Sequence, residues 1–220
     1  MATYDLEEQE QLEELKTWWK LHGTWVTSIV TALAVAVVGW QGWNWWQRSQ
    51  AAQAGELYAA MQQAMSQQDT KRMRLLAGEL IDKYAGTAYA GMGALLSGKA
   101  LAESGDLKSA AAQYGWAAEH ARDEALRDLA RLRQALVLAE AQDYEAALKL
   151  LAVPPAPSFK ARYLEARGDV LLAQGKREAA RQAYGDAIEA LEAERKNAEG
   201  PTDAYLDILR AKRDACGGAA

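Results

Sequence analysis

The pattern of hydrophobic and polar positions divides the chain into two parts that meet near Arg48. From Leu21 to Gln47 there are 27 consecutive residues without Asp, Glu, Lys or Arg. Beyond Arg48, apolar residues recur every three or four positions among charged ones, which is typical of amphipathic helices that pack together in water. The pattern predicts an all-α protein with one N-terminal membrane helix and a mixed, water-soluble helical domain.

The charge-free run has the length and the flanks of a transmembrane helix. About 20 apolar residues in a helix cross a bilayer, and tryptophan gathers at the two membrane–water interfaces. Seven of the eight tryptophans lie in or beside the run. They form two groups, which are Trp18, Trp19 and Trp25 on one side and Trp40, Trp43, Trp45 and Trp46 on the other. This arrangement favours a membrane span over a buried core helix.

A cleaved signal peptide is the other alternative for this segment. Ala52-Gln53-Ala54 has the small-x-small form of a cleavage site, but the first twenty residues carry six acids and only two lysines. A signal peptide begins with net positive charge and has a shorter apolar core. The sequence therefore predicts an uncleaved anchor.

The anchor carries small residues at every fourth position, namely Thr24, Ser28, Ala32 and Ala36. Small residues let another transmembrane helix approach closely, and hydroxyl groups can form hydrogen bonds across such a contact. This stripe is a candidate helix-packing face. Ordinary alanine-rich composition explains it equally simply.

The orientation signal in the flanking charges is weak. Lys16 and Lys20 precede the span and Arg48 follows it. The excess of basic residues on the N-terminal side favours a cytoplasmic N-terminus. We expect three segments: an acidic N-terminal segment (1–20), the anchor (21–47) and the helical domain (48–220).

The helical domain contains an internal repeat with a period of 70 residues. The same residue recurs at six matching positions: Gly98, Leu101, Gly105, Ala110, Tyr114 and Ala117 match Gly168, Leu171, Gly175, Ala180, Tyr184 and Ala187. This spacing is that of a tetratricopeptide (TPR) hairpin. The small residues allow two helices to cross closely, the second glycine ends the first helix, and the tyrosine is expected to fill the gap towards the next repeat.

Two further hairpins and a last helix complete the expected array. One hairpin is Ala51–Gln67 with Lys71–Tyr84, whose second helix has Leu75, Leu76, Leu80 and Ile81 on its apolar face. A degenerate hairpin occupies 125–151 and ends at the proline cluster 153–157. A loop with an N-cap at Gly200-Pro201-Thr202-Asp203 opens a capping helix over about 203–214. The predicted fold is a TPR-like α-solenoid of about four hairpins with a C-terminal cap.

Composition argues against several kinds of chemistry. The net charge of −5 disfavours nucleic acid as a partner. Cys216 is the single cysteine, and His22 and His120 are far apart, so no metal site is expected. No phosphate-binding loop or activated nucleophile is present, which predicts a protein without cofactor and without catalytic residues. Cys216 is expected to be an exposed thiol in the C-terminal tail.

Charged residues on the first helices of the hairpins are the candidate binding residues. TPR concave surfaces are lined by these helices, so they could contact a peptide. The candidates are Lys99, Glu103, Glu140, Arg162, Glu165 and Asp169. For any one of them, a solvated charged surface is the simpler interpretation.

The whole chain resembles the YfgM-type family, the TPR-like ancillary subunit of the bacterial SecYEG translocon. The resemblance rests on an acidic start with Glu7-Glu8-Gln9, the sequence Trp18-Trp19-Lys20 followed by Gly23, one span that ends at Gly39-Trp40, and a short TPR-like array. It implies an inner-membrane protein with a cytoplasmic N-terminus and a periplasmic array. The implied partners are the SecYEG translocon, a membrane-anchored periplasmic chaperone of the PpiD type and unfolded client polypeptides, and the implied role is assistance to protein export.

Two other functions remain open on the sequence. The array could be a scaffold for cell-envelope assembly or division. Alternatively, the acidic N-terminal helix, at about 5–20, could bind a basic cytosolic partner through Glu7, Glu8, Glu13 and Glu14 and make the chain a regulatory protein.

Overall fold

The fold is built from α-helices throughout the part of the chain that can be described. A computed structural model describes residues 3–195 and 203–217, with side chains in 11–194 and 204–217. The helices are α1 Thr3–Ser66, α2 Thr70–Tyr84, α3 Ala88–Glu103, α4 Leu107–His120, α5 Glu124–Glu140, α6 Tyr144–Leu151, α7 Lys160–Ala173, α8 Arg177–Arg195 and α9 Asp203–Ala215, with a short 3-10 helix at Pro157–Phe159. Within these ranges there is no β-strand, and the all-α prediction is confirmed.

Helix α1 includes three segments that were predicted separately from the sequence. The acidic segment, the anchor and the helix Ala51–Gln67 are one continuous helix. The physical reason is the absence of a helix breaker: the first proline of the chain is Pro154, and isolated glycines do not end a helix. The chain divides into two compact units, Met1–Ser49 and Gln50–Ala220, so α1 contributes to both.

The first unit exposes its apolar side chains. The apolar part of α1 is long enough to cross a membrane, and only 6% of its most apolar stretch is buried within the protein, unlike the core helix of a globular domain. The hydroxyls of Thr27, Ser28 and Thr31 donate hydrogen bonds to backbone carbonyls one turn earlier, at 2.7 to 2.8 Å. These polar groups are thereby satisfied within the helix itself, as a lipid environment requires.

The second unit is a stack of antiparallel hairpins. Each helix from α2 to α9 packs against the next one in sequence, and α5 also contacts both α3 and α7. The last turns of α1 pack with α2 through Ala54, Met61, Ala77 and Leu80. Contacts between alternate helices are the mark of a helical solenoid. The prediction of four hairpins and a terminal helix is confirmed.

The turns inside the hairpins share one design. The residue before each second helix's N-cap has positive φ, and an aspartate usually follows it as the cap. The positive-φ residues are Gln68, Gly105, Gln142 and Gly175. The capping carboxylates belong to Asp69, Asp106 and Asp143, and each accepts a backbone N–H three residues later at 2.9 to 3.2 Å.

A tyrosine ring packs on a glycine in the two clearest hairpins. A Cβ on Gly98 would lie 2.8 Å from the Tyr114 ring, and a Cβ on Gly168 would lie 2.5 Å from the Tyr184 ring. Each ring therefore fills a gap within its own hairpin, in addition to the expected gap towards the next repeat. The Tyr114 ring also joins a cluster with Val137 of the following hairpin.

Helix α2 packs through three of the four predicted apolar residues, Leu76, Leu80 and Ile81, but not through Leu75. Met73, Ala77 and Leu80 are buried, at spacings of four and three residues, whereas Leu75 is 69% exposed. The predicted apolar face was therefore wrong at Leu75, because runs of adjacent leucines do not reveal which side of a helix packs. At the C-terminal end, Leu206 and Leu209 of α9 are buried, as predicted. The expected loop over Gly200–Thr202 and the Asp203 side chain lie outside the described residues.

Candidate protein-binding grooves

Two grooves line the surface formed by the first helices of the hairpins. The N-terminal groove has a volume of about 290 Å³ and lies between the end of α1, α3 and α5. Its lining residues are mostly apolar: Tyr58, Met92, Leu95, Leu96, Lys99, Tyr114, Leu126, Leu129 and Arg133. An apolar groove with a few polar groups at its edge is the usual form of a peptide-binding surface.

The C-terminal groove lies between α5, α7 and α9 and has a volume of about 380 Å³. It is more polar, because three charged side chains contribute to its wall. Its lining residues are Leu132, Leu136, Arg162, Glu165, Ala166, Asp169 and Tyr205.

Helix α5 is the wall that the two grooves share. Leu129 and Arg133 line the N-terminal groove, whereas Leu132 and Leu136 line the C-terminal groove. Spacings of three and four residues place these four side chains on neighbouring rows of one helix face. The two grooves are therefore adjacent on one surface of the array.

Helix α9 inserts a lysine between two of the predicted site residues. The Lys212 ammonium donates hydrogen bonds to the carboxylates of Glu165 and Asp169, each at 2.8 Å. Burial alone would lower the pKa of Lys212, but the hydrogen bonds that it donates to both carboxylates outweigh burial and raise the pKa above its usual value. Glu165 and Asp169 are therefore occupied by the protein's own C-terminal helix.

Two tyrosines complete this network. The Tyr205 hydroxyl donates to Glu165 and the Tyr184 hydroxyl donates to Asp169, both at 2.7 Å. Burial first, and then hydrogen bonding to the neighbouring carboxylate, raises the pKa of each phenol well above its usual value. Both tyrosines are thus held neutral as donors. The network fixes the end of the array.

The other predicted site residues are dispersed. Lys99 lines the N-terminal groove and forms an exposed ion pair with Glu103 at 3.7 Å, which is a weak contact. Arg162 lines the C-terminal groove beside Tyr205. Glu140 is exposed at the end of α5 and lines neither groove. The structure thus divides five of the six candidates between the two grooves and leaves Glu140 apart from both.

Arg133 was missed by the sequence analysis. It is exposed at the edge of the N-terminal groove, and no carboxylate among the described side chains forms an ion pair with it. Burial raises the pKa of the Tyr114 phenol, and the positive charge of Arg133 nearby opposes that shift. Its signal in the sequence was its place four residues after Leu129, on the face of α5 that also carries Leu126.

A second missed residue, Asp128, is buried and has a structural role. Its carboxylate accepts hydrogen bonds from Arg131 and from the backbone N–H of Ala156, both at 2.8 Å. Its backbone carbonyl accepts one from the Tyr163 hydroxyl, also at 2.8 Å. These bonds fasten the proline cluster to α5, and they leave no free oxygen aimed at a groove.

Cys216 is buried, which corrects the expectation of an exposed thiol. Only 7% of its surface is exposed, and it packs in a cluster with Leu171, Ala180 and Tyr184. Its thiol donates to the Lys212 carbonyl at 3.4 Å. The reason is that α9 extends to Ala215, so Cys216 belongs to the packed end of the helix.

No grouping of three or more His, Cys, Asp and Glu side chains that could hold a metal occurs within the described residues. The small-residue stripe of the anchor, comprising Thr24, Ser28, Ala32 and Ala36, is exposed along α1. Its role as a helix-packing face remains a prediction.

The apolar span of α1 and the stack of hairpins with adjacent grooves define a class: TPR-like helical proteins with a candidate membrane anchor. The tetratricopeptide repeat-like domain family matches residues 16–215 of the chain. The chain belongs to this family and, within it, to the YfgM-type group whose curated members are named ancillary SecYEG translocon subunits.

Three relatives of that name illustrate the similarity. The protein of Haemophilus influenzae is 30% identical over 187 residues, which cover 84% of this chain and 90% of the relative. The protein of Neisseria gonorrhoeae is 26% identical with the same coverage. That of Aggregatibacter actinomycetemcomitans is 27% identical over 84% of this chain and 91% of its own length.

Proposed function

We propose that the chain is a non-catalytic, membrane-anchored scaffold that associates with the SecYEG translocon and assists protein export. The observation that carries this proposal is the similarity to relatives named ancillary SecYEG translocon subunits, which extends over both the anchor and the array. The similarity covers 84% of the chain, which is stronger support than similarity over a short fragment would be.

The proposed topology has a cytoplasmic N-terminus and a periplasmic array. Lys16 and Lys20 before the span, against Arg48 after it, support this orientation. The anchor would hold the array close to the mouth of the channel. Confinement beside a partner raises the effective concentration, so that weak contacts of the array become sufficient for binding.

The proposed partners of the array are a membrane-anchored periplasmic chaperone of the PpiD type and unfolded segments of newly translocated proteins. The two grooves support a binding role, because they offer apolar surface with charged edges and no catalytic grouping. In the anchor, the stripe Thr24, Ser28, Ala32 and Ala36 is the proposed contact with a translocon helix.

Crosslinking in native membranes tests the association. The tagged full-length chain is crosslinked in its own bacterial membranes, solubilised in detergent and purified, and SecY is detected by antibody. We expect SecY in the purified material, and an amount well above that of an unrelated single-span protein. Absence of every translocon component would contradict the proposal.

A matched pair of anchor variants tests the stripe. Ser28→Leu with Ala32→Leu enlarges the proposed contact, whereas Val30→Leu with Val37→Leu enlarges the opposite side of the helix, since each residue turns it by about 100°. We expect the first pair to reduce SecY capture several-fold and the second pair to leave it unchanged. Equal SecY capture by both double variants would contradict the proposed role of the stripe.

A further inference from the structure

We propose that the N-terminal groove binds an apolar segment that carries an acidic side chain, and that Arg133 binds this acid. This inference deepens the proposed function, and it rests on that function only for the assumption that the array binds another polypeptide. The occupant is defined by its chemistry: leucine-like side chains on the floor of the groove and a carboxylate at its edge.

The floor of the groove is suited to apolar side chains. Met92, Leu95 and Leu96 of α3 face Leu126 and Leu129 of α5, and all five remain only partly buried in the isolated protein. Covering apolar surface of this kind is favourable by about 25 cal/mol per Å². Burial of these side chains against an apolar segment would therefore favour binding.

The charge at the edge of the groove selects the occupant. Two cations, Lys99 and Arg133, line it, and Glu103 compensates only the first, at 3.7 Å. Arg133 has no carboxylate partner among the described side chains. Its guanidinium can hold a carboxylate through two parallel hydrogen bonds, a geometry that a lysine cannot offer.

The C-terminal groove carries a different set of charges. Its acids Glu165 and Asp169 are bound by Lys212, and with Arg162 the charges on its wall cancel. Arg162 also lines this groove and forms no ion pair with a described side chain, but it shares the wall with two carboxylates, whereas no carboxylate lines the N-terminal groove. The preference for an acidic segment is therefore assigned to the N-terminal groove alone.

Peptide binding to the full-length chain in detergent tests this proposal. The probes are three fluorescein-labelled peptides of leucine and serine that are identical except for two central positions, which are glutamate, glutamine or lysine. Fluorescence anisotropy at low salt should show the glutamate peptide binding roughly five- to tenfold more tightly than the glutamine peptide, and the lysine peptide most weakly. High salt should reduce the difference in affinity between the glutamate and glutamine peptides.

A charge reversal makes the test specific. Arg133→Glu should abolish the preference for the glutamate peptide and favour the lysine peptide. Arg167→Glu is the matched control, since Arg167 is also exposed on a first helix and lines neither groove. It should leave all three affinities unchanged. Because Arg133 is exposed, thermal unfolding of the Arg133→Glu variant should match that of the unaltered protein.

Three outcomes would overturn the proposal: equal binding of the three peptides, equal effects of the two variants, or no binding of any peptide. These outcomes are separable from failure of the proposed function. If SecY is captured but the glutamate preference is absent, the groove assignment fails and the scaffold role stands. If the preference and its reversal are observed but no translocon component is captured, the groove assignment stands and the scaffold role fails.

Discussion

The two hairpins α3–α4 and α7–α8 share the same framework and differ in what the following elements do to it. Both place a tyrosine ring against a glycine, and both turn through a glycine with positive φ. In the α7–α8 hairpin, the Asp169 carboxylate of α7 accepts hydrogen bonds from Lys212 of α9 and from Tyr184. The Tyr184 ring packs in a cluster with Cys216. In the α3–α4 hairpin, Tyr114 borders a groove whose Arg133 forms no ion pair with a carboxylate of the described side chains.

A repeated sequence therefore does not imply a repeated function. The terminal hairpin uses its charged residues to hold the capping helix, as the end of a solenoid requires. The earlier hairpin has neighbours on both sides, and its first helix can present an open surface. Charged residues at corresponding places in a repeat should therefore be assigned only after their partners in the stack are known.

The largest expected effect comes from filling the space under a tyrosine ring. Gly168→Ala should destabilise the protein by about 2–3 kcal/mol, because its Cβ would lie 2.5 Å from the fixed Tyr184 ring. Gly98→Ala should cost less, about 1–2 kcal/mol, since the distance to Tyr114 is 2.8 Å and Tyr114 donates no hydrogen bond to a described side chain. Urea unfolding followed by circular dichroism measures both.

Gly185→Ala is the control for these two variants. A Cβ at this helical position meets nothing within 4 Å, so alanine should stabilise the protein by about 0.5–1 kcal/mol. A loss of stability at Gly185 comparable to that at Gly168 would show that the glycines matter for another reason than contact with the ring.

The next effect tests the lysine that closes the C-terminal groove. Lys212→Met keeps much of the apolar stem but leaves Glu165 and Asp169 without their cation, so we expect a loss of about 1–2 kcal/mol. Arg210→Met, which removes two exposed ion pairs of α9, should cost less than about 0.5 kcal/mol. Equal losses in urea unfolding would refute the special role of Lys212.

High pH should weaken the contacts of Tyr184 in the C-terminal hairpin. The pKa of Tyr184 is raised in the folded state, so its stabilising contribution is complete below the unfolded value of 10.0 and is lost as the pH rises above it. Tyr184 alone should lower the unfolding free energy by roughly 1 kcal/mol per pH unit above that value. Tyr184→Phe should make this slope shallower. An unchanged slope between pH 10 and 11.5 would contradict the assignment.

The smallest effect concerns the turn of the degenerate hairpin. Gln142 has φ of +64°, whereas the corresponding turns of the two clear repeats use Gly105 and Gly175. Gln142→Gly should therefore stabilise the protein by about 1 kcal/mol, and Gly175→Ala should destabilise it by a similar amount. Melting temperatures of the two variants should shift in opposite directions.

Much of the fold was accessible from the sequence, because periodicity and turn residues repeat along the chain. The turns at Gly105 and Gly175 and the packing of Leu206 and Leu209 followed from local patterns. The exposure of Leu75 in α2 and the burial of Cys216 did not, because both depend on which helix lies alongside. Local pattern shows that a helix is amphipathic, but tertiary packing decides its exact buried stripe.

The candidate site was less accessible. Sequence reasoning selected charged residues on first helices, yet it could not tell that Lys212, some 43 residues after Asp169, would neutralise two of them. It overlooked Arg133 for the same reason, since an unpaired cation is recognised only when its surroundings are known. Ion pairs between distant elements are consequences of the fold and leave no periodic trace in the sequence.

The proposed function depends most directly on which side of the membrane the array occupies. Single cysteines can report this in a Cys216→Ala background: Ser158→Cys in the exposed loop of the array, and Gln11→Cys on the other side of the span. Intact cells with a permeabilised outer membrane are treated with a membrane-impermeant maleimide. With a periplasmic array and a cytoplasmic N-terminus, we expect labelling at position 158 before lysis and at position 11 only after lysis. The opposite pattern would place the array in the cytoplasm and contradict a role in protein export at the periplasmic side.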